Sequence, residues 1–288
     1  MAWDQKDGYL LMFGGAQLSS SGKVVLADTW TWNGSKWNQL SPSASPPGRT
    51  FGAMAYDPSA GEVLLFGGGA ANSDPLRSDT WAWDGSTWSQ LTPTASPPTS
   101  FALSMVTDPA LPIPGVLLVA ASVNTTTSLS TWTWTGTTWH RLSSTSRVPG
   151  RAAFCLAYDP ASGAVLHGGY VSEGSPALTD TWIWADNNWT QRSTGPVGGP
   201  CLMAYDQARR ELVVFAEGSN QTWVYDGASW RMKQPAHGPP SLLALAAFAY
   251  DESSQTVVLF GGKTDALLGS PALNETWAWD GTDWSRKT

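Results

Sequence analysis

Charge is scarce in this sequence, and clustered basic charge is missing altogether. Only 14% of its 288 residues are Asp, Glu, Lys or Arg. With Gly, Ser, Thr and Pro abundant, that argues against long surface helices and for short strands joined by turns. The net charge is −7 and no Lys/Arg run offers a set of phosphate contacts, so no nucleic-acid partner is expected. No stretch of about 18 apolar residues occurs, so no membrane span is predicted. The start, Met1-Ala2-Trp3-Asp4, has neither the basic opening nor the apolar core of a signal peptide. Two cysteines, Cys155 and Cys201, cannot make a disulfide-dense scaffold; they read as two buried free thiols. The three histidines, His140, His167 and His237, have no ligand spacing, so no metal site is expected. Gly-x-Ser-x-Gly and His-Glu-x-x-His are absent. Gly262-Lys263-Thr264 looks like the end of a phosphate loop, but Val257 stands where its first glycine belongs. Neither a catalytic set nor a cofactor follows from these residues.

What the chain has instead is tryptophan, 18 of them, all in register with a sixfold repeat. Its core is Trp-x-Trp, a tight turn, and a third Trp. It occurs at Trp30/Trp32/Trp37, Trp81/Trp83/Trp88, Trp132/Trp134/Trp139, Trp182/Trp184/Trp189, Trp223/Tyr225/Trp230 and Trp277/Trp279/Trp284. The first residues of successive cores are 51, 51, 50, 41 and 54 apart, a period that indicates a propeller or a solenoid. The second unit shows the element order. Thr50–Tyr56 is an apolar strand a, Asp57–Gly61 a turn, and Glu62–Phe66 strand b. After a polar loop, Thr80–Trp83 is strand c, Asp84-Gly85 a turn, and Thr87–Leu91 strand d. Alternation along a strand puts Trp81 and Trp83 on one face, with Trp88 across the hairpin. Each indole can bury roughly 150–250 Å², which no single four-stranded unit can cover alone. Six units closed into a ring can cover them, and radial repetition also protects the sheet edges.

The turns repeat as strictly. An Asp ends strand a in all six units, at Asp4, Asp57, Asp108, Asp159, Asp206 and Asp251, and Pro follows it in three. These carboxylates read as turn-formers, not as a metal or acid/base ring. The double glycine after strand b recurs at Gly14-Gly15, Gly67-Gly68, Gly168-Gly169 and Gly261-Gly262. Ala120-Ala121 and Ala216-Glu217 replace it in units three and five. With the aromatic in strand c, the Trp in strand d, and Gly48-Arg49 and Gly150-Arg151 before strand a, the pattern resembles the Kelch-repeat family along the whole chain. The resemblance, of the galactose-oxidase central-domain type, implies a single all-β domain: a six-bladed β-propeller of four-stranded antiparallel blades. The units are approximately 1–48, 49–98, 99–149, 150–196, 197–240 and 241–288. Met1 aligns with Met54, so the first blade is expected to lack its inner strand. The chain then reads as part of a longer protein.

A scaffold of this kind hosts many functions, so activity must be argued from a site. The a–b and c–d turns are short and alike, whereas the b–c and d–a loops differ in every unit and emerge on the opposite face. Residues that break the repeat there are the expected ligand-binding set. Arg49 and Arg151 precede strand a, and His167 takes a place that holds Phe at 13, 66, 215 and 260. Tyr170 and Lys263 follow glycine pairs, and Glu217 replaces a glycine. Two arginine forks with Glu217 as acceptor suit an acidic or hydroxyl-rich ligand. A polar ring at an aromatic core position also requires a partner, which singles out His167. The leading expectation is a non-catalytic module holding a protein segment or glycan on this face. The alternatives are a carbohydrate-active hydrolase, lyase or oxidase at the same mouth, or a structural propeller of a larger secreted protein. An extracellular or cell-surface location goes with these readings.

Overall fold

Strand-forming runs of four to eight residues, punctuated by Asp-x-x-x-Gly and Asp/Asn-Gly turns, leave the chain little else to form than antiparallel meanders. The computed structural model describes residues 1–19, 22–69, 75–111, 114–122, 125–172, 174–195, 198–240, 244–264 and 272–288. Parts of the variable loops, 70–74 and 265–271 among them, lie outside the described residues. Six four-stranded antiparallel sheets follow one another, each in the order a-b-c-d. Blade one is Ala2–Asp4, Tyr9–Phe13, Thr29–Trp32 and Trp37–Leu40. Blade two is Ala53–Asp57, Glu62–Phe66, Thr80–Trp83 and Trp88–Leu91; blade three is Leu103–Asp108, Gly115–Ser122, Thr125–Trp134 and Trp139–Leu142. Blade four is Cys155–Asp159, Gly163–His167, Asp180–Ala185 and Asn188–Thr194. Blade five is Cys201–Asp206, Glu211–Ala216, Gln221–Tyr225 and Trp230–Met232; blade six is Ala244–Asp251, Thr256–Lys263, Thr276–Trp279 and Trp284–Arg286. One extra hairpin, Ala16–Ser19 with Gly22–Val25, rises from the b–c connection of blade one. Among the described residues no helix is long and apolar enough to cross a membrane.

Each inner strand a lies beside that of the next blade, and the sixth returns to the first, so the ring is closed. The expected gap in blade one is corrected here. Its inner strand is shortened to Ala2–Asp4 but present, paired in register with Tyr9–Leu11. The turn carboxylates behave as read: Asp57 Oδ1 accepts from Ser59 N at 2.9 Å and Asp84 Oδ1 from Ser86 N at 2.7 Å.

The tryptophans make the seams between blades. Within a blade, the second Trp of strand c packs on the Trp of strand d, with ring centroids 5.4 Å apart for Trp83 and Trp88 and 5.3 Å for Trp134 and Trp139. The strand d indole then reaches into the preceding blade and donates to the Thr that stands just before the first Trp of its strand c. Trp88 Nε1 bonds Thr29 at 3.0 Å, Trp139 bonds Thr80 at 2.9 Å, and Trp189 bonds Thr131 at 2.8 Å. Trp284 bonds Thr222 at 2.8 Å, and Trp37 closes the ring on Thr276 at 3.0 Å. A Phe at the end of strand b covers the same indole in four seams, as Phe66 covers Trp139 at 5.5 Å. The first Trp of each pair stays partly exposed in five of the six blades. It donates to a side chain two residues earlier, as Trp81 does to Asp79 at 2.8 Å.

The seam between blades four and five departs from this rule. His167 fills the Phe position, lies 4.7 Å from the Trp230 ring, and its Nδ1 is 3.1 Å from the Thr181 hydroxyl. Trp230 Nε1 is buried there without a hydrogen-bond partner. The imidazole lies so close to Gly195 that a Cβ at that position would collide with it. The same seam carries a Cys155–Cys201 disulfide between neighbouring inner strands, with Cα atoms 5.4 Å apart. The expectation of two free thiols is therefore overturned. The cysteines start the inner strands of adjacent blades, where the ring holds backbones within bridging range.

Candidate functional site

The six expected residues share one end of the propeller but not one surface. Arg49 and Arg151 are 1% and 2% exposed. Arg49 Nη1 and Nη2 meet Asp79 at 2.7 and 2.9 Å, while Nη1 also bonds Gly67 O and Nε bonds Pro47 O. Arg151 repeats this arrangement with Asp180, Gly168 O and Pro149 O. The forks expected to be open to a ligand are filled from within their own blades, where they tie the start of strand a to the end of strand b. Burial works to raise the Asp79 carboxyl, but hydrogen bonds from Arg49 and Trp81 outweigh it and hold it below the ordinary range. Asp180 is held down in the same way by Arg151 and Trp182.

His167 is buried in the seam already described. Tyr170 is half-buried and pairs through its backbone with Ala152 and Ala177. Lys263 ends strand b of blade six opposite Ala244. Glu217 differs from these. Its N–H donates to Pro200 O, and its Oε1 is sealed from solvent without a partner. Burial pushes its carboxyl up to about 7.

Close by on this face stands a pair of exposed rings that sequence reasoning passed over. Phe51 and Phe101 are 42% and 60% exposed and meet edge to face, with centroids 5.8 Å apart. Lys23, on the extra hairpin, places Nζ 5.7 Å above the Phe51 ring and 3.5 Å from the Thr50 hydroxyl. Val24 beside it is also exposed. Phe51 has φ 61°, a left-handed conformation that a bulky residue adopts only under strain. Its counterpart in blade four is Ala153, with φ 55°, so the turn itself demands the conformation. The sequence carries no mark of that demand, because neither position is Gly.

A cavity lies elsewhere, at the centre of the ring. A channel of about 650 Å³ runs between the inner strands towards the a–b turns, and none of the six expected residues lines it. Met1, Met54, Met105, Leu156, Met203 and Phe248 occupy one ring position along its wall. Two residues further on come Trp3, Tyr56, Thr107, Tyr158, Tyr205 and Tyr250, all half-buried, and then a lip of Gln5, Pro58, Pro109, Pro160, Gln207 and Glu252. The sequence signal for this ring is the residue before each Asp that ends strand a, which is Tyr in four units and Trp in one. No protein-family profile matches this chain, and no curated protein matches it.

Proposed function

We propose that the protein is a non-catalytic binding module of Kelch-like, galactose-oxidase-central-domain character that holds a protein segment on its b–c/d–a face. The observation that carries this reading is the exposed Phe51–Phe101 pair on a strained backbone. Two adjoining aromatic rings left open to solvent are apolar surface that the free protein does not bury, and such surface concentrates at binding sites. Two adjoining rings of this kind suit an apolar anchor side chain, and Lys23 beside them suits an acidic neighbour on the same partner segment. The inter-blade disulfide supports an extracellular or cell-surface setting, since such bonds persist in oxidising compartments.

The test is selection of displayed random peptides on the intact chain. Enriched peptides are expected to carry an aromatic or branched aliphatic residue next to Asp or Glu. Their affinity is expected to fall about tenfold or more with Phe101→Ser, in keeping with loss of an interface anchor. Phe51→Gly is expected to lose binding as well while raising the melting temperature, because Gly accepts the left-handed conformation without strain. Peptides that bind both variants like the parent, or selective retention of glycans on an array with no peptide enriched, would overturn the protein-segment reading.

A further inference from the structure

The opposite mouth is built from different residues. Five aromatic side chains and one Thr circle the channel at equivalent positions, each followed in sequence by a buried carboxylate. The turns beyond them are not alike. Blade one has Lys6 and blade five has Arg209 and Arg210, with Arg209 pairing with Asp206 at 2.9 Å. Blade six carries Glu252. The a–b turns of blades two, three and four contain no Lys, Arg or His. The turns of this arc supply no basic side chain of their own to Asp57, Asp108 and Asp159; the stem of Lys6 crosses from blade one to the edge of the blade two turn at Gly61, and its ammonium is bonded to Asp84 O at 3.2 Å.

Two further features single out that arc. The ring of aromatics is interrupted only at Thr107, whose hydroxyl donates to Tyr56 O at 2.7 Å. Asp57, next in sequence to Tyr56, is fully buried and its Oδ2 has no hydrogen-bond partner. Its equivalents in blades four, five and six receive Ser162, Arg209 or Ser254 at the second oxygen, three residues on, where blade two has Ala60. Tyr158, on the other side of Thr107, lies in the field of Asp108 and Asp159; burial first, and then those two charges, raise its hydroxyl above the ordinary range.

The lip narrows the chemistry. Pro58, Pro109 and Pro160 have no N–H to offer, so this arc has few donors for an anion or for sugar hydroxyls. Aromatic side chains along a channel wall, with carboxylates buried behind that wall, attract a cation whose own periphery is apolar. We propose that the a–b mouth of the channel binds a small quaternary ammonium compound, seated against Tyr56 and Tyr158 with Asp57, Asp108 and Asp159 behind it.

The experiment is a chemical-shift titration of the intact chain with choline and, separately, with 3,3-dimethyl-1-butanol, its uncharged isostere. Choline is expected to saturate and to bind at least about tenfold more tightly than the isostere, within the range of a desolvated cation–π contact. The shifted amides are expected at Tyr56, Thr107 and Tyr158, far from Phe51. Tyr158→Leu is expected to weaken choline about fivefold or more, and Tyr158→Phe, which keeps the ring, to stay within twofold of the parent. Equal binding of the two compounds, no saturation with choline, or shifts centred on Phe51 would overturn the proposal. So would a Tyr158→Phe variant that folds like the parent and binds as poorly as Tyr158→Leu.

Discussion

Five seams of this ring are held by the same device and the sixth by another. In the five, an indole N–H crosses to a Thr hydroxyl of the preceding blade. In the sixth, between blades four and five, His167 occupies that Thr, Trp230 Nε1 is left without a partner, and a disulfide joins the inner strands. A neutral hydrogen bond contributes only about 1 kcal/mol net, whereas leaving a buried donor unpaired costs about 1–3 kcal/mol. A cross-link closing a loop of this size (sequence separation 46) offsets such a loss; chain-entropy reasoning gives it about 4 kcal/mol. The comparison shows a seam that gave up its shared polar contact and is fastened covalently at another radius.

The largest expected effect comes from removing a regular indole. Trp139→Ala is expected to destabilise the ring by about 3–5 kcal/mol in denaturant unfolding, as a buried large-to-small change that also strands the Thr80 hydroxyl. Trp230→Ala is expected to cost less, because its N–H has no bond to lose. Equal costs would mean that the indole–threonine bonds contribute nothing and that the seams differ only in appearance.

Next is the cross-link. Cys155→Ser with Cys201→Ser is expected to lower stability by about 2–4 kcal/mol. The same double change built on His167→Phe is expected to cost less, since the restored indole bond then supports the seam. An unchanged cost would separate the two features and undo the comparison.

His167→Phe alone is expected to raise stability by about 1 kcal/mol, by releasing Thr181 to Trp230. The close approach of Gly195 is what could defeat it, and a lowered melting temperature would show that the imidazole was selected for its size.

The last effect appears only as pH rises and concerns Glu217, which follows the blade five residue paired with Cys201. Its folded-state carboxyl lies near 7, above the ordinary value of 4.5. A raised folded pKa contributes stability that is complete below the unfolded value and is lost as pH rises through the folded one. Parent stability is therefore expected to fall between pH 4.5 and pH 7, and Glu217→Gln to flatten that slope. At pH 8 the variant should exceed the parent by on the order of 3 kcal/mol in urea unfolding, with no difference at pH 4. A slope that persists in the variant would assign the pH dependence to other groups.

The indoles, turns and strands were legible because each repeats, and sixfold repetition leaves few alternatives. The disulfide was legible only in part: both cysteines stand before the strand-ending Asp of consecutive units, which puts them on neighbouring inner strands, but whether the thiols meet depends on how those strands are staggered, and spacing along the chain does not encode that. Arg49 and Arg151 were read as open because they flank variable loops. The contrary signal was available: blades two and four alone combine Arg before strand a with Asp two residues before the first Trp, and those are the partners that bury the arginines. Nothing in the letters marks Phe51, since its left-handed backbone arises from the loop around it. The tyrosine ring was visible as a repeat but not as a wall, because only closure turns six separate side chains into one mouth.

The common fastening between blades has a consequence for how such a chain can change by duplication and recombination. A blade that presents a Thr to its successor and an indole to its predecessor fits beside any other blade built the same way, so one of them can be copied or exchanged without refitting its neighbours. Blades four and five do not share this freedom. Either one transplanted alone brings a single unpaired cysteine, together with a donor Trp230 or a Thr181 already taken by His167. To keep the seam intact they must move together, and the unit of exchange that the structure permits at that point in the ring is two blades long.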